Sequence, residues 1–327
     1  MQVKVLGSLS NFGFESPLDQ IIFHDSLITT NVMEILEDLP SDVDVFDAIG
    51  SIFGQKLVEN PVMFLIGDSS WATPSNDLLE INAKFFGYLQ FIISSLWFIK
   101  DNGASVTECY SITFPDFVAC NRSDVLYSNS SGEFRPTKFN KEDFDQALQI
   151  LPKIAEIKKI ENAVTLQQPE GMSVGMRVDE MSLLPYNQLE RLSRSLHFLH
   201  LARSTSILPL KISFYIAILE CLFTSDKTEV THKVTEAATL FVGGDFETKK
   251  GNFELVKTAY GIRSSYVHGQ HLEKKHSTRE FLMNISNKMD SFLRELYRKA
   301  IDNQELFKLS DKDYRQYFRD MILGKQS

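Results

Sequence analysis

Cysteine is scarce. The 327 residues hold three, Cys109, Cys120 and Cys221, with no C-x-x-C pair among them and no histidine at zinc-ligand spacing. That excludes a disulfide framework and a cysteine-rich zinc site, and predicts a reduced chain without structural metal. The opening residues Met1-Gln2-Val3-Lys4-Val5-Leu6 show no charged region followed by an apolar signal core, so a cytoplasmic location is expected. Long apolar runs are missing too. The most membrane-like stretch, residues 85–99 between Lys84 and Lys100, would span roughly 22 Å as a helix at about 1.5 Å per residue. A bilayer core needs about 30 Å, so a buried helix is predicted and no membrane partner. Gly7, Gly13, Gly50 and Gly54 form no phosphate-binding loop. No order of Ser, His, Asp or Cys argues for a hydrolase triad, and no internal repeat is present.

What remains is an ordinary globular composition, 43% hydrophobic and 24% charged, in a chain long enough for two separate cores. The net charge of −9 argues at first against a polyanionic partner. It is the sum of two unlike parts. From Pro185 onward there are 22 Lys and Arg against 17 Asp and Glu, a net +5, and the residues before it carry −14. Such a division fits a chain whose back half alone meets phosphate and whose front half restrains it; surplus charge for solubility is the plainer alternative.

The fold class predicted is α+β, a mixed α/β N-terminal domain followed by an all-α helical bundle. Residues 1–165 form the first domain, 166–184 a linker, 185–303 the helical domain and 304–327 a helical tail. In the front part, one or two strands precede a short helix over 31–39, and the apolar run 61–67 between Pro61 and Gly67 reads as a buried strand. A helix over 76–100 follows, then strands over 109–114 and 124–128, then a helix carrying Phe144, Leu148 and Leu151 that Pro152 should kink or end. Behind the linker, periodicity predicts five helices. Pro185 starts the first and Pro209 the second; Asp226 with Glu229 caps the third, and Gly243-Gly244 stops it. The fourth runs over 247–268 with Leu255, Ala259, Ile262 and Tyr266 inside, and Ser277 with Glu280 makes a capping box for the fifth.

At the end of the fourth helix stands Arg263-Ser264-Ser265-Tyr266-Val267-His268-Gly269. Imidazole titrates near neutrality and can move the proton of a ribose 2′-hydroxyl, while guanidinium neutralises charge developing on phosphate. Spacing alone also fits a solvated Arg and His at a helix C-terminus, drawn there by the dipole. Residues five apart on an ideal helix are separated by about 140°, so one copy does not bring both groups onto a single phosphate. Two copies related by a twofold axis would.

The wider order, Ile218-Leu219-Glu220-Cys221-Leu222 on an apolar helix and then Tyr260-Gly261-Ile262-Arg263-Ser264 with Val267-His268-Gly269, resembles the Apea-like branch of the HEPN superfamily, whose signature is R-x(4–6)-H. The likeness covers roughly residues 185–303. Many HEPN ribonucleases carry Asn, Asp or His where Ser264 stands here. The resemblance implies a helical bundle, a homodimer with a composite cleft and cleavage of RNA without metal or cofactor. The 2′-hydroxyl attacks the neighbouring phosphate, leaving 2′,3′-cyclic phosphate and 5′-hydroxyl ends. It also implies a toxin or antiphage defence setting, with a protein trigger or antitoxin as a further partner. A non-catalytic HEPN dimer that binds RNA or nucleotide, or serves as a scaffold, is the alternative.

On this reading Arg263 and His268 are the catalytic pair. Ser264, His271, Lys274 and Lys275 are RNA-binding or accessory residues, with His276 a solvated loop residue. Glu220, Tyr260 and Gly269 give structural support, Glu220 pairing with Arg263 or else with Lys211 or Lys227. His197 and His200 with Arg191, Arg194 and Arg203 make a second basic cluster; with no third metal ligand in view, a solvated or interface face is expected.

Overall fold

The computed structural model describes residues 2–37, 49–68, 78–113, 117–123, 125–162, 190–224 and 230–323. It is α+β and divides into two compact units, Met1–Leu151 and Pro152–Ser327. The expected linker 166–184, Pro185 and the Asp226/Glu229 cap lie outside the described residues.

The first unit is built on strands β1 (Gln2–Ser10), β3 (Gln20–Phe23), β4 (Ser26–Thr29), β5 (Val62–Asp68), β6 (Ser105–Thr113) and β7 (Phe117–Arg122). They form one sheet in the order β3-β4-β5-β1-β6-β7, every neighbouring pair antiparallel. A small parallel pair joins β2 (Phe12–Phe14) to β8 (Thr137–Phe139). Alternation along β1 sends Val3 and Val5 into one core and Leu6 into another, because successive side chains of a strand face opposite ways. Helices α1 (Val32–Glu37) and α2 (Ser51–Glu59) supply Val32, Ile35 and Leu57 to the Leu6 side. The Val3 side is covered by α3 (Leu78–Ser94), through Phe85, Leu89 and Ile92, and by Phe144 and Leu151 of α4 (Lys141–Asn162). Glycine lets α3 approach. A Cβ on Gly7 would stand 2.6 Å from Leu89, and one on Gly67 2.2 Å from Phe85. Asn82, fully buried on α3, ties the helix to the sheet by donating to the Cys109 carbonyl at 3.0 Å and Ser111 Oγ at 2.9 Å.

The expected strand 61–67 is β5, and 109–114 falls on β6. The strand expected over 124–128 does not form. β7, one stretch earlier, takes the hydrogen bonds of β6, and the following loop is pinned by side chains instead: Asn11 Nδ2 donates to the Tyr127 carbonyl at 2.9 Å, and Ser130 Oγ donates to Asp101 at 2.5 Å. The long helix is shorter than expected, α3 giving way to a 3-10 turn over Ser95–Phe98. Among the described residues no helix is long and apolar enough to cross a membrane. Pro152 sits inside α4 without ending it.

The second unit holds α5 (Arg191–Arg203), α6 (Leu208–Phe223), α7 (Val230–Val242), α8 (Phe246–Val267), α9 (Arg279–Asp302) and α10 (Asp311–Ile322). Pro209 lies in the first turn of α6, where its missing N–H costs nothing. That helix buries Ile212, Tyr215, Ile216, Ile218, Leu219 and Leu222 and packs against α5, α7, α8 and α9, which makes it the centre of the bundle. Gly243 and Gly244, at φ of 76° and 104°, stop α7. Asp245 caps α8, its side chain accepting from Thr248 N at 2.8 Å. The cap of α9 is Thr278, not Ser277: Thr278 Oγ1 accepts from Phe281 N, while Ser277 donates to the Lys274 carbonyl.

The second basic cluster is solvated only in part: His200 is exposed, whereas two of its arginines are not. Arg203 is buried, and Arg191 reaches across to the end of α6, donating to the carbonyls of Leu222 and Thr224 and to Asp311 while its guanidinium lies 4.8 Å over the Tyr314 ring. Unpaired carbonyls at a helix C-terminus attract a five-donor cation, and here the same cation docks α10.

Candidate functional site

Helix α8 presents its core face through Val256, Ala259, Tyr260 and Ile262. Leu255 is only half-buried and Tyr266 is 41% exposed, so neither belongs to the core as the periodicity suggested. The apolar stripe reaches the last turn, where Tyr266 and Val267 are exposed.

Arg263 follows directly on that stripe and turns towards α6. Its Nη2 lies 3.6 Å from the Glu220 carboxylate, with the two side chains 35% and 27% exposed. Of the two alternative partners, Lys211 is elsewhere, buried and donating to the Ala202 carbonyl at 2.6 Å, and Lys227 lies outside the described residues. Tyr260, one turn before Arg263, is 6% exposed and completes the group. Among the described residues no acceptor meets its hydroxyl at full hydrogen-bond geometry, and Glu220 is the acceptor that approaches it. Burial first and the nearby Glu220 charge second hold its proton on well beyond the usual tyrosine range, against an opposing effect of Arg263. A single carboxylate thus faces both a buried hydroxyl and an arginine side chain that stays partly exposed.

His268 is the C-cap of α8. Its backbone, at φ −89° and ψ 6°, has left the helical region, and its side chain is exposed. Gly269 follows at φ 67°. Its N–H donates to the Tyr266 carbonyl at 3.3 Å, and Gln270 N–H donates to the Ser265 carbonyl at 2.8 Å. This doubly bonded termination needs a left-handed residue after the cap, which is why glycine stands there. It fixes the backbone of His268 without engaging the imidazole.

The other residues singled out from the sequence lie around this end. Ser264, His271, Lys274 and Lys275 are exposed, Lys275 pairing with Glu273 at 3.2 Å. His276 is not a free loop histidine: its ring stacks on Phe281, centroids 4.6 Å apart and planes 25° from parallel, with Nδ1 3.9 Å from Glu273. From Arg263 to Arg279 the chain carries four Arg and Lys against the one acid Glu273, and three histidines. In a protein of net charge −9 this is a local positive surface.

Sequence reasoning missed one buried charge. Asp290 on α9, 1% exposed, is held by Arg294 one turn on and accepts from the Tyr215 hydroxyl at 3.2 Å, locking α6 to α9. The spacing of four between Asp290 and Arg294 was the available signal. A groove of about 510 Å³ between α8 and α9 is lined by Glu254, Leu255, Thr258, Lys288, Phe292 and Glu295 among others; none of the motif residues lines it. Among the described residues no group of three or more His, Cys, Asp or Glu is placed to hold a metal ion. No family model, no curated protein and no solved structure matches the chain.

Proposed function

We propose that this chain is a metal-independent endoribonuclease of HEPN type, active as a twofold homodimer in which the α8 ends of two protomers meet and share one cleft. The observation that carries the reading is the Glu220-anchored, part-open Arg263 on the same helix end as the exposed, backbone-fixed His268.

In the reaction, one His268 imidazole removes the proton of a ribose 2′-hydroxyl as its oxygen attacks the adjacent phosphorus. The bond from phosphorus to the 5′-oxygen breaks, and an imidazolium returns a proton to that leaving oxygen. The phosphate ends as a 2′,3′-cyclic diester. Arg263 neutralises the charge that gathers on the non-bridging oxygens in between. Ser264, His271, Lys274 and Lys275 lie where the flanking backbone would run. Glu220 and Tyr260 keep the Arg263 side chain aimed, and Gly269 shapes the helix end.

A toxin or antiphage role rests on the resemblance to Apea-like HEPN proteins, and so does a trigger or antitoxin. The test of that setting is growth: expression should slow a host cell, and His268→Ala should restore growth at equal protein level. Equal toxicity of the two would remove it. Light scattering tests the assembly, with a dimer expected at micromolar concentration and a strict monomer, with or without RNA, counting against the shared cleft.

A further inference from the structure

Tyr266 is the residue of the motif whose placement the periodicity did not foretell. It lies three residues after Arg263, one helical turn along the same side of α8, and two residues before His268. Tyr266 is 41% exposed as a residue, and the next residue, Val267, is 56% exposed. No aromatic ring, ion pair or side-chain hydrogen bond among the described residues engages it. The two residues before it, Ser264 and Ser265, are small. An exposed aromatic alone would identify nothing. This one sits inside the positive segment that runs from Arg263 to Arg279, where a second ring assembly, His276 stacked on Phe281, is also partly open. Cations that follow a phosphate backbone, interleaved with rings that present a flat face, are the combination by which unpaired nucleotides are held.

We propose that Tyr266 is a nucleobase-stacking residue, its ring receiving the base next to the linkage that Arg263 and His268 act on. The inference rests on the ribonuclease reading and extends it: a base must leave its duplex to lie on the ring, so unpaired RNA is bound in preference to paired. The competing occupant of the ring is the partner protomer, since an exposed tyrosine beside a twofold axis could serve the dimer instead.

The experiment uses the full chain carrying His268→Ala, so that RNA is bound and not cut. Fluorescence anisotropy is measured with a labelled single-stranded oligoribonucleotide, the same sequence as a duplex, and a version lacking one base at each position in turn. Single strands should bind more tightly than duplex, and Tyr266→Leu should weaken single-strand binding about tenfold or more, the usual consequence of losing one stacked base. Tyr266→Trp should keep it. At one position the missing base should weaken the parent and leave Tyr266→Leu unaffected. Binding of Tyr266→Leu within twofold of the parent overturns the proposal, and so does a dimer that falls to monomer in Tyr266→Leu while Tyr266→Trp stays dimeric, since the ring is then a protomer contact. If the parent binds no RNA of any kind, the ribonuclease reading has failed and this inference with it, an outcome distinct from tight binding that ignores Tyr266.

Discussion

The Glu220 carboxylate stands 3.6 Å from the Arg263 guanidinium, joining the central helix of the bundle to the end of α8. One contact at this distance between side chains that are 35% and 27% exposed is a weak contributor to stability, of order 0–1 kcal/mol for a solvent-screened pair. Its consequence is orientation. A guanidinium held at one edge keeps its other donors pointing one way, and the entropy of aiming them is settled before any anion arrives.

Glu220→Gln should therefore shift the unfolding free energy by no more than about 1 kcal/mol, yet reduce RNA cleavage well beyond what that stability change could produce. Glu220→Asp should recover part of the loss. Denaturant titration and initial rates measured side by side check this, and a variant with normal rates would leave Glu220 a bystander.

Gly269→Ala forces a Cβ onto a backbone at φ 67°, although the space around it is open. The strain is conformational, and about 1 kcal/mol of stability should be lost. Because the turn fixes the His268 backbone, activity should fall with it. Gly269→Asn, which tolerates the left-handed region better, should fall between glycine and alanine. An alanine variant as stable as the parent would contradict the termination described here.

Alkaline pH offers a test of the core that does not depend on function. Tyr260, Tyr297 and Tyr314 in the second unit all hold their protons above the usual tyrosine range, with burial the largest cause in each. Between the ordinary value near 10 and the raised folded values, the unfolded chain gives up protons that the folded chain keeps, so the stability these rings contribute is constant below about pH 10 and is lost as pH rises past it; the Cys221 thiol, also raised by burial, begins the same kind of loss from its lower ordinary value. Urea midpoints from pH 8 to 11 should show this loss, and Tyr297→Phe should flatten it. A midpoint that does not fall above pH 10 would mean that these rings are open to solvent.

Much of this fold could be read from the sequence because burial and breakers are written in periodicity. Gly243-Gly244, Pro209 and the apolar stripe of α6 placed helices of the second unit, and the run between Pro61 and Gly67 placed a strand. The strand expected at 124–128 failed because the segment is held as a loop by Asn11 and Asp101, which lie far away in sequence; of its apolar residues only Tyr127 is buried, while Val125 and Leu126 are exposed. The Glu220–Arg263 pairing was legible from one charge inside an apolar helix. Tyr266 was misplaced because a stripe of period 3.6 says which side of a helix faces inward, not where the facing helix ends. Arg191 was misread for a related reason: a cluster of cations looks like surface until the carbonyls of another helix end come within reach.

Arg263→Lys separates charge from geometry. Lysine keeps the positive charge but loses the planar fork, so a large fall in cleavage with normal stability points to a two-pronged phosphate contact. Rates within about threefold of the parent would instead reduce the role of Arg263 to charge neutralisation.

The most direct test is cleavage of a labelled RNA by the purified chain in excess EDTA, with the product ends identified. The account predicts 2′,3′-cyclic phosphate and 5′-hydroxyl ends, and a fall of about 10²- to 10⁴-fold in His268→Ala, the usual cost of a lost general acid or base. That variant should keep the parent's fold, because His268 is exposed. A His268→Ala protein that cuts at the parent rate, or cleavage that leaves 3′-hydroxyl and 5′-phosphate ends, would contradict it.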